Sequence, residues 1–202
     1  MNENAEKMLP DSRRSLWSQT ARFPQYESLK HDITTDVLVI GGGIAGILCA
    51  YLLGRCGTAC VLVEAGRLCS GITRDTTAKI TVQHGLIYDK LIRTFGLEKA
   101  RMYLHANQAA LEEYRSLCQT IDCDFQERDS IVYSLNDGKK IENELDSLQK
   151  IGYGATFAER LPLPFPVTGA VCFAGQAQFH PLKFLSAIAT GLRIFENTRV
   201  LE

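Results

Sequence analysis

Apolar residues fall into two continuous runs early in the chain, Val37-Leu38-Val39-Ile40 and Ala59-Cys60-Val61-Leu62-Val63. Runs of this length and β-branched content, without polar alternation, predict strands buried on both faces. The period changes between them: Ile47, Leu48, Ala50, Tyr51 and Leu52 recur at helical spacing from Ile44 to Arg55. Gly57 then supplies the left-handed residue that commonly ends a helix. Strand, tight turn, helix and strand within about 30 residues predict a βαβ unit with parallel strands and a right-handed crossover.

Further along, Leu97, Ala100, Tyr103, Leu104, Ala110, Leu111, Tyr114 and Leu117 recur at three and four, predicting a long amphipathic helix that ends near Cys118. Phe125 to Ser134 alternates and predicts a strand. Lys139 to Ile151 has the pattern of a charged helix, and Pro162, Pro164 and Pro166 hold the stretch after it extended. Gly169 to Ala174 predicts a short buried strand, His180-Pro181 the opening of a helix, and Leu192 to Phe195 a last strand. Residues before about position 30 are polar and irregular, with Pro10 and Pro24, and predict an extension off the core.

Composition narrows the class. The chain of 202 residues is 46% hydrophobic and 22% charged, which suits a globular protein. Lys and Arg total 22 against 23 acidic residues, a net charge of -1 that gives no electrostatic footprint for nucleic acid or an anionic membrane. Val37 to Gly54 is long and nearly uncharged, but Gly41, Gly42 and Gly43 would break a spanning helix in its first third. Ser12-Arg13-Arg14-Ser15-Leu16 opens like a twin-arginine export signal, but no apolar segment follows. The 7 cysteines form no C-x-x-C pair and none lies near a histidine, so zinc and Rieske ligand spacings are absent. Cys49, Cys60 and Cys172 lie in apolar runs and read as small buried hydrophobes, and Asp122-Cys123-Asp124 reads as a loop rather than a metal site. The expectation is a cytoplasmic protein with no metal, nucleic-acid or membrane partner and an oligomeric state that the sequence does not reveal.

The chemistry concentrates at Gly41-x-Gly43-x-x-Gly46, between the first strand and its helix. Gly41 lets the chain turn off the strand, Gly43 leaves the backbone bare to a pyrophosphate, and Gly46 lets helix and strand approach. The helix N-terminus offers N–H groups and partial positive charge to phosphates. Glu64 closes the second strand, where a carboxylate accepts both hydroxyl protons of an adenosine ribose and repels a 2′-phosphate. This ADP-binding pattern serves FAD and NAD alike. Cys69 to Lys79 is a hydroxyl-rich loop that either turns donors toward a phosphate or flavin edge or is simply solvated. His84 and Lys79 are the catalytic candidates: His84 to bind or polarise substrate, Lys79 to stabilise reduced flavin. Each also reads as an ordinary structural or surface residue.

Asp36 to Glu64 together with Ser70-Gly71 resembles the FAD-binding start of the D-amino-acid-oxidase-like (glycine oxidase) superfamily. Thr76 to Tyr88, with Ser15-Leu16-Trp17 upstream, is similar to a bacterial subgroup that carries a C-terminal Rieske [2Fe–2S] domain; Ala177 to Leu182 and Gly191 to Val200 match the superfamily's later helix and strand. The resemblance implies FAD as cofactor, with Gly41, Gly43, Ile44, Ala45 and Gly46 on the pyrophosphate, Glu64 and Ala65 at the ribose, and Ser70, Gly71, Thr76 and Thr77 toward the flavin. It implies hydride transfer to flavin from a carbon next to nitrogen in a small amine or amino acid, and a [2Fe–2S] cluster only in a full-length form. Relatives continue with a glycine-rich segment that completes the flavin site, so the chain reads as an N-terminal portion.

The expected fold class is α/β: a Rossmann-like FAD-binding βαβ domain interrupted by an incomplete mixed α+β substrate domain. The expected divisions are an N-terminal extension over 1–35, an FAD-binding domain with a helical excursion over 36–120, a partial substrate domain over 121–178, and a truncated return to the FAD-binding domain over 179–202. The alternatives are a nucleotide-binding fragment without activity and an NAD-linked dehydrogenase.

Overall fold

The computed structural model describes residues 15–201, so Arg13 and Arg14 of the discounted export signal lie outside the described residues. Among the described residues the chain forms two compact units: residues 15–78, 121–123 and 180–201 make the first, and residues 79–120 and 124–179 the second. These divisions differ from those drawn on the sequence. The helical excursion after residue 78 packs with the second unit, because its apolar stripe is buried against that unit's own helices.

In the first unit, a short helix α1 (Leu16–Thr20) precedes β1 (Val37–Ile40), α2 (Ile44–Arg55) and β2 (Cys60–Val63). The strands pair in parallel, with Val37 opposite Cys60 and Ile40 opposite Val63. The last strand of the unit, Ile194–Phe195, pairs in parallel with the other edge of β2, so β2 is central. Burial on both faces therefore holds for β2, where Val61, Leu62 and Val63 are buried, but not for β1. β1 lies at the sheet edge among the described residues, and Leu38 and Ile40 are 47% and 65% exposed. The apolar run of β1 cannot reveal which side of the strand is covered, because an edge strand and a central strand carry the same composition.

The segment after α1 is not a free extension. Tyr26 donates its hydroxyl to the Ala189 carbonyl, Leu29 N–H donates to Thr198 Oγ1 at 3.0 Å, and Trp17 Nε1 donates to the Thr76 carbonyl at 2.9 Å. Irregular polar sequence conceals this docking because a backbone group takes part in each of these bonds.

In the second unit, β3 (Lys79–Ile80), β4 (Gln126–Ser134), β5 (Thr156–Ala158) and β6 (Gly169–Gln178) form one antiparallel sheet. β6 is central: β4 pairs with one edge, while β3 and β5 share the other. β6 runs four residues past the Ala174 limit expected from the sequence. Gly175 at φ +62° makes a bulge there, and Asp129 Oδ1 accepts from its N–H at 3.2 Å, so pairing resumes at Gln176. Three helices complete the unit: α3 (Tyr88–Phe95), α4 (Leu97–Cys118) and α5 (Gly138–Lys150). The last helix of the chain, α6 (Pro181–Ala189), returns to the first unit, with His180 as its N-cap. The strand that follows it is β7 (Ile194–Phe195).

Glu144 on α5 is fully buried, and its two oxygens accept the N–H groups of Tyr88 and Asp89 at 2.9 Å each. The carboxylate thus satisfies the first turn of α3, whose N-cap Ile87 has no side chain for the task. Burial pushes the Glu144 carboxyl above its ordinary 4.5, against the downward pull of those backbone bonds. A raised folded-state value contributes stability that is fully present below 4.5 and is lost as pH rises through the raised value. The stability of the wild-type chain relative to Glu144→Gln is therefore expected to fall as pH rises from 4.5, measured by denaturant unfolding. A difference independent of pH would contradict the assignment.

All the described cysteines are free thiols. Cys49 is exposed, contrary to the expectation of burial: α2 turns Ile47 and Ala50 inward and Cys49 away. Cys60 and Cys172 are only partly covered. Alkylation of the folded chain is expected to modify Cys49 and Cys56 quickly, and Cys69, Cys118 and Cys123 only after unfolding. Peptide mass mapping reads the order. Among the described residues, no helix is long and apolar enough to cross a membrane.

Candidate functional site

The glycine turn sits where β1 meets α2. Gly41 has φ +105°, a conformation that L side chains rarely adopt, and its N–H donates to the Val63 carbonyl at 2.8 Å. A Cβ on Gly46 would lie 1.9 Å from the Gly41 carbonyl oxygen, so the first turn of α2 rests directly on the chain leaving β1. Gly43 differs from both. Its φ is -83°, and a Cβ there would meet only Thr73 Oγ1, at 3.2 Å. Gly43 is also the N-cap of α2 and supplies no side-chain cap to the N–H groups of the first helical turn. One of them, Ile44 N–H, donates to Thr73 Oγ1 at 3.1 Å.

Glu64 stands at the tip of β2. Its Oε2 accepts from Gly42 N–H at 2.7 Å and its Oε1 from Gly66 N–H at 2.8 Å. A carboxylate offers about four acceptor sites, so each oxygen retains one for a further donor such as a ribose hydroxyl. The loop beyond Glu64 then folds over the turn: Cys69 N–H donates to the Gly42 carbonyl at 2.9 Å, and the Leu68 side chain occupies the space above Gly42, where a Cβ would come within 2.2 Å. Cys69 is itself buried at φ +54°, and burial, with the charges of Glu64 and Glu196, pushes its thiol up to about 12.

The remaining predicted residues lie in two places. Ala65, Ser70 and Gly71 are exposed on the loop; Ser70 Oγ donates back to the Arg67 carbonyl, and Gly71 opens a 3-10 turn over Ile72–Asp75 that carries Thr73. Thr76 follows that turn, its carbonyl held by Trp17, and Thr77 is exposed. Lys79 and His84 belong to the second unit. Lys79 is exposed and lines a cavity of about 110 Å³ with Thr81, Arg128, Asp129, Ser130 and Gln178. His84 Nδ1 is 2.7 Å from the Tyr103 hydroxyl, and the two rings meet edge to face. Asp122 to Asp124 is a turn in which Cys123 is buried and its carbonyl accepts from His180 N–H at 2.6 Å.

Gly42, Leu68, Thr73 and Glu196 also lie at the turn or hold its loop, without being expected from the sequence. Gly42 and Thr73 were visible as a third glycine in the turn and a hydroxyl in the loop. Glu196 carried one signal only, an acid directly after the apolar pair Ile194-Phe195.

A bare turn of glycines, a helix N-cap without a side chain and an acid at the neighbouring strand tip are the pattern found in dinucleotide-binding βαβ units. The family model described as FAD dependent oxidoreductase (DAO) matches residues 36–202, and the chain belongs to that family. It is 38% identical to YhfW of Bacillus subtilis (strain 168), a protein named for a Rieske 2Fe-2S iron-sulfur centre, over 100% of this chain and 41% of that protein. It is 24% identical to gamma-glutamylputrescine oxidoreductase of Escherichia coli (strain K12), over 86% of this chain and 43% of that one. In structure it resembles L-proline dehydrogenase from P. horikoshii, with a TM-score of 0.67 and 18% identity over 88% of this chain and 46% of that one. The chain therefore spans less than half the length of these relatives.

Proposed function

We propose that this chain is the part of an FAD-dependent oxidoreductase that seats the ADP half of the cofactor, and that the whole enzyme oxidises a carbon bonded to nitrogen in a small amine or amino acid. The observation that carries the reading is the Gly41–Gly46 turn with Glu64 beside it. Its geometry suits FAD: the approach over Gly43 is bordered by one hydroxyl rather than by bulk, and both Glu64 oxygens keep acceptor capacity.

In this reading the pyrophosphate lies against Gly41, Gly43, Ile44, Ala45 and Gly46, and the dipole of α2 offsets its charge. Ile44 N–H, which donates to Thr73 Oγ1 in the structure, turns to a phosphate oxygen instead, and the Thr73 hydroxyl is free to donate to the same phosphate. Glu64 and Ala65 receive the ribose, and Ser70, Gly71, Thr76 and Thr77 form the side toward the isoalloxazine. FAD, when bound, supplies the two-electron acceptor. The chain's own work is binding, orientation and exclusion of water. The amine or amino-acid class rests on family membership and on the substrate in the name of the Escherichia coli relative. A [2Fe–2S] cluster belongs to the reading only in a longer form similar to YhfW.

Purification of the chain with added FAD, followed by gel filtration, tests the proposal. Retained flavin absorbance near one equivalent is expected. A colourless protein that takes up no FAD would favour the reading of an inactive nucleotide-binding fragment.

Glu64→Gln offers a narrower check. Because both oxygens already accept backbone N–H groups, either rotamer of the amide sets its NH₂ against one of them. The cost is the penalty for a donor without an acceptor, about 1–3 kcal/mol. FAD affinity is expected to fall about tenfold or more, and an unchanged dissociation constant would remove Glu64 from the site.

A further inference from the structure

Glu196 follows β7 directly and is 1% exposed, yet it carries a carboxylate. Its Oε1 accepts from Leu68 N–H at 2.7 Å. Its Oε2 accepts from Tyr26 N–H at 3.1 Å and pairs with the Arg67 guanidinium at 2.8 Å. A buried carboxylate is tolerated only when its oxygens are satisfied in this way. The neighbouring backbone repeats the pattern. Glu196 N–H donates to the Glu27 carbonyl, Asn197 N–H to the Gly66 carbonyl, and Thr198 N–H to the Glu64 carbonyl. Asn197 takes φ +48°, which reverses the chain and lets Glu196 and Thr198 reach the same loop.

These bonds all end on two segments. One is residues 26–29, and the other is the loop from Glu64 to Leu68. That loop carries Glu64, whose carboxylate fixes Gly42 N–H, and Cys69, whose N–H fixes the Gly42 carbonyl. Gly42 is the middle residue of the glycine turn. A continuous chain of bonds therefore runs from Glu196 through Leu68 and Cys69 to the bare backbone at Gly43.

We propose that Glu196 is a positioning residue for the nucleotide site: it holds the 64–69 loop, and through it the glycine turn, in the arrangement that receives the ADP half of FAD, and it enlists residues 26–29 as the outer support. This rests on the reading that the turn binds FAD. Glu196 touches no cofactor atom and takes no part in the reaction. Its partners are donors only, so an amide in its place sets its NH₂ against Leu68 N–H, or against Tyr26 N–H and Arg67, and releases one end of the loop.

The test compares wild type, Glu196→Gln and Arg67→Met. The arginine change removes one link, from a side chain that is 40% exposed, while the backbone N–H groups of Leu68 and Tyr26 still donate to Glu196. FAD dissociation constants are measured by titration at a temperature where circular dichroism shows each apo-protein folded. Amide hydrogen exchange is read in the same samples without FAD. Expected are a rise in the dissociation constant of about tenfold for Glu196→Gln and about threefold for Arg67→Met. With these go faster exchange at Leu68, Cys69 and Gly42, and unchanged protection in β2 and the interior of α2. A purely structural role would loosen the whole unit, or lower the melting temperature without the selective exchange. Dissociation constants within twofold of wild type, with Leu68 exchange unaltered, would overturn the proposal. If Glu196→Gln fails to fold, Arg67→Met decides by the same two readings. If the wild-type chain takes up no FAD, the nucleotide reading fails on its own, and the exchange pattern still decides whether Glu196 holds the loop.

Discussion

Gly43→Val is expected to leave the first unit folded and to weaken FAD binding by at least about 100-fold, about 2.8 kcal/mol. The separation of the two effects follows from the backbone. At φ -83° a β-branched residue is sterically permitted. The nearest obstacle to its Cβ is Thr73 Oγ1 at 3.2 Å, a side-chain atom that moves by a few tenths of an ångström. The γ-methyl groups then stand where a diphosphate must approach the N–H groups of α2. Circular dichroism and denaturant unfolding are expected to match wild type, while flavin is lost on gel filtration. A Gly43→Val protein that retains flavin at wild-type affinity would remove this turn from the cofactor site.

Gly46→Ala is expected to do the reverse and damage the fold first. The added carbon would lie 1.9 Å from the Gly41 carbonyl oxygen, 3.1 Å from its carbon and 3.4 Å from Val39 Cγ1. The first two are backbone atoms of a turn already fixed by Gly41 N–H on Val63. Neither gives way like the end of a flexible side chain, so α2 must lift from β1. Overpacking of this kind costs about 3 kcal/mol, set against a total stability of about 5–15 kcal/mol for a domain. The midpoint of urea unfolding is expected to fall clearly, with flavin binding lost as a consequence. Wild-type stability in Gly46→Ala would show that helix and strand are not in contact as described.

The contrast between these two glycines could not be drawn from the sequence. Gly-x-Gly-x-x-Gly marks where the turn lies, and the apolar runs on either side place β1, α2 and β2 within a residue of their limits. Long periodic stretches did equally well: α4 covers Leu97–Cys118 as the spacing predicts. The strands β3 and β5 and the helix α3 were not read from the sequence. β3 is two residues and β5 three, too few to show a period, and α3 starts on a cap supplied from Glu144, 56 residues away from Tyr88. The limits of the two compact units depend on where the stripe of α4 is buried, which the stripe itself does not show.

The geometry of the candidate site was legible where a residue type recurs at a fixed spacing, as at Gly41, Gly46 and Glu64. It was illegible where backbone groups do the holding. The carbonyl of Thr76, the N–H of Tyr26 and the N–H of Leu68 belong to residues whose side chains give no hint of their use. Glu196, buried among them, looks in the sequence like any surface acid at the end of a strand.

The Gly41–Gly46 turn and Glu64 are proposed to recognise the ADP half of FAD. Titration of the purified chain with FAD in the presence of ADP or FMN tests it most directly, with bound flavin read by fluorescence quenching. Saturable FAD binding that ADP displaces much more effectively than FMN is the predicted result. FAD binding that FMN displaces and ADP leaves untouched would place recognition at the flavin end and contradict the account.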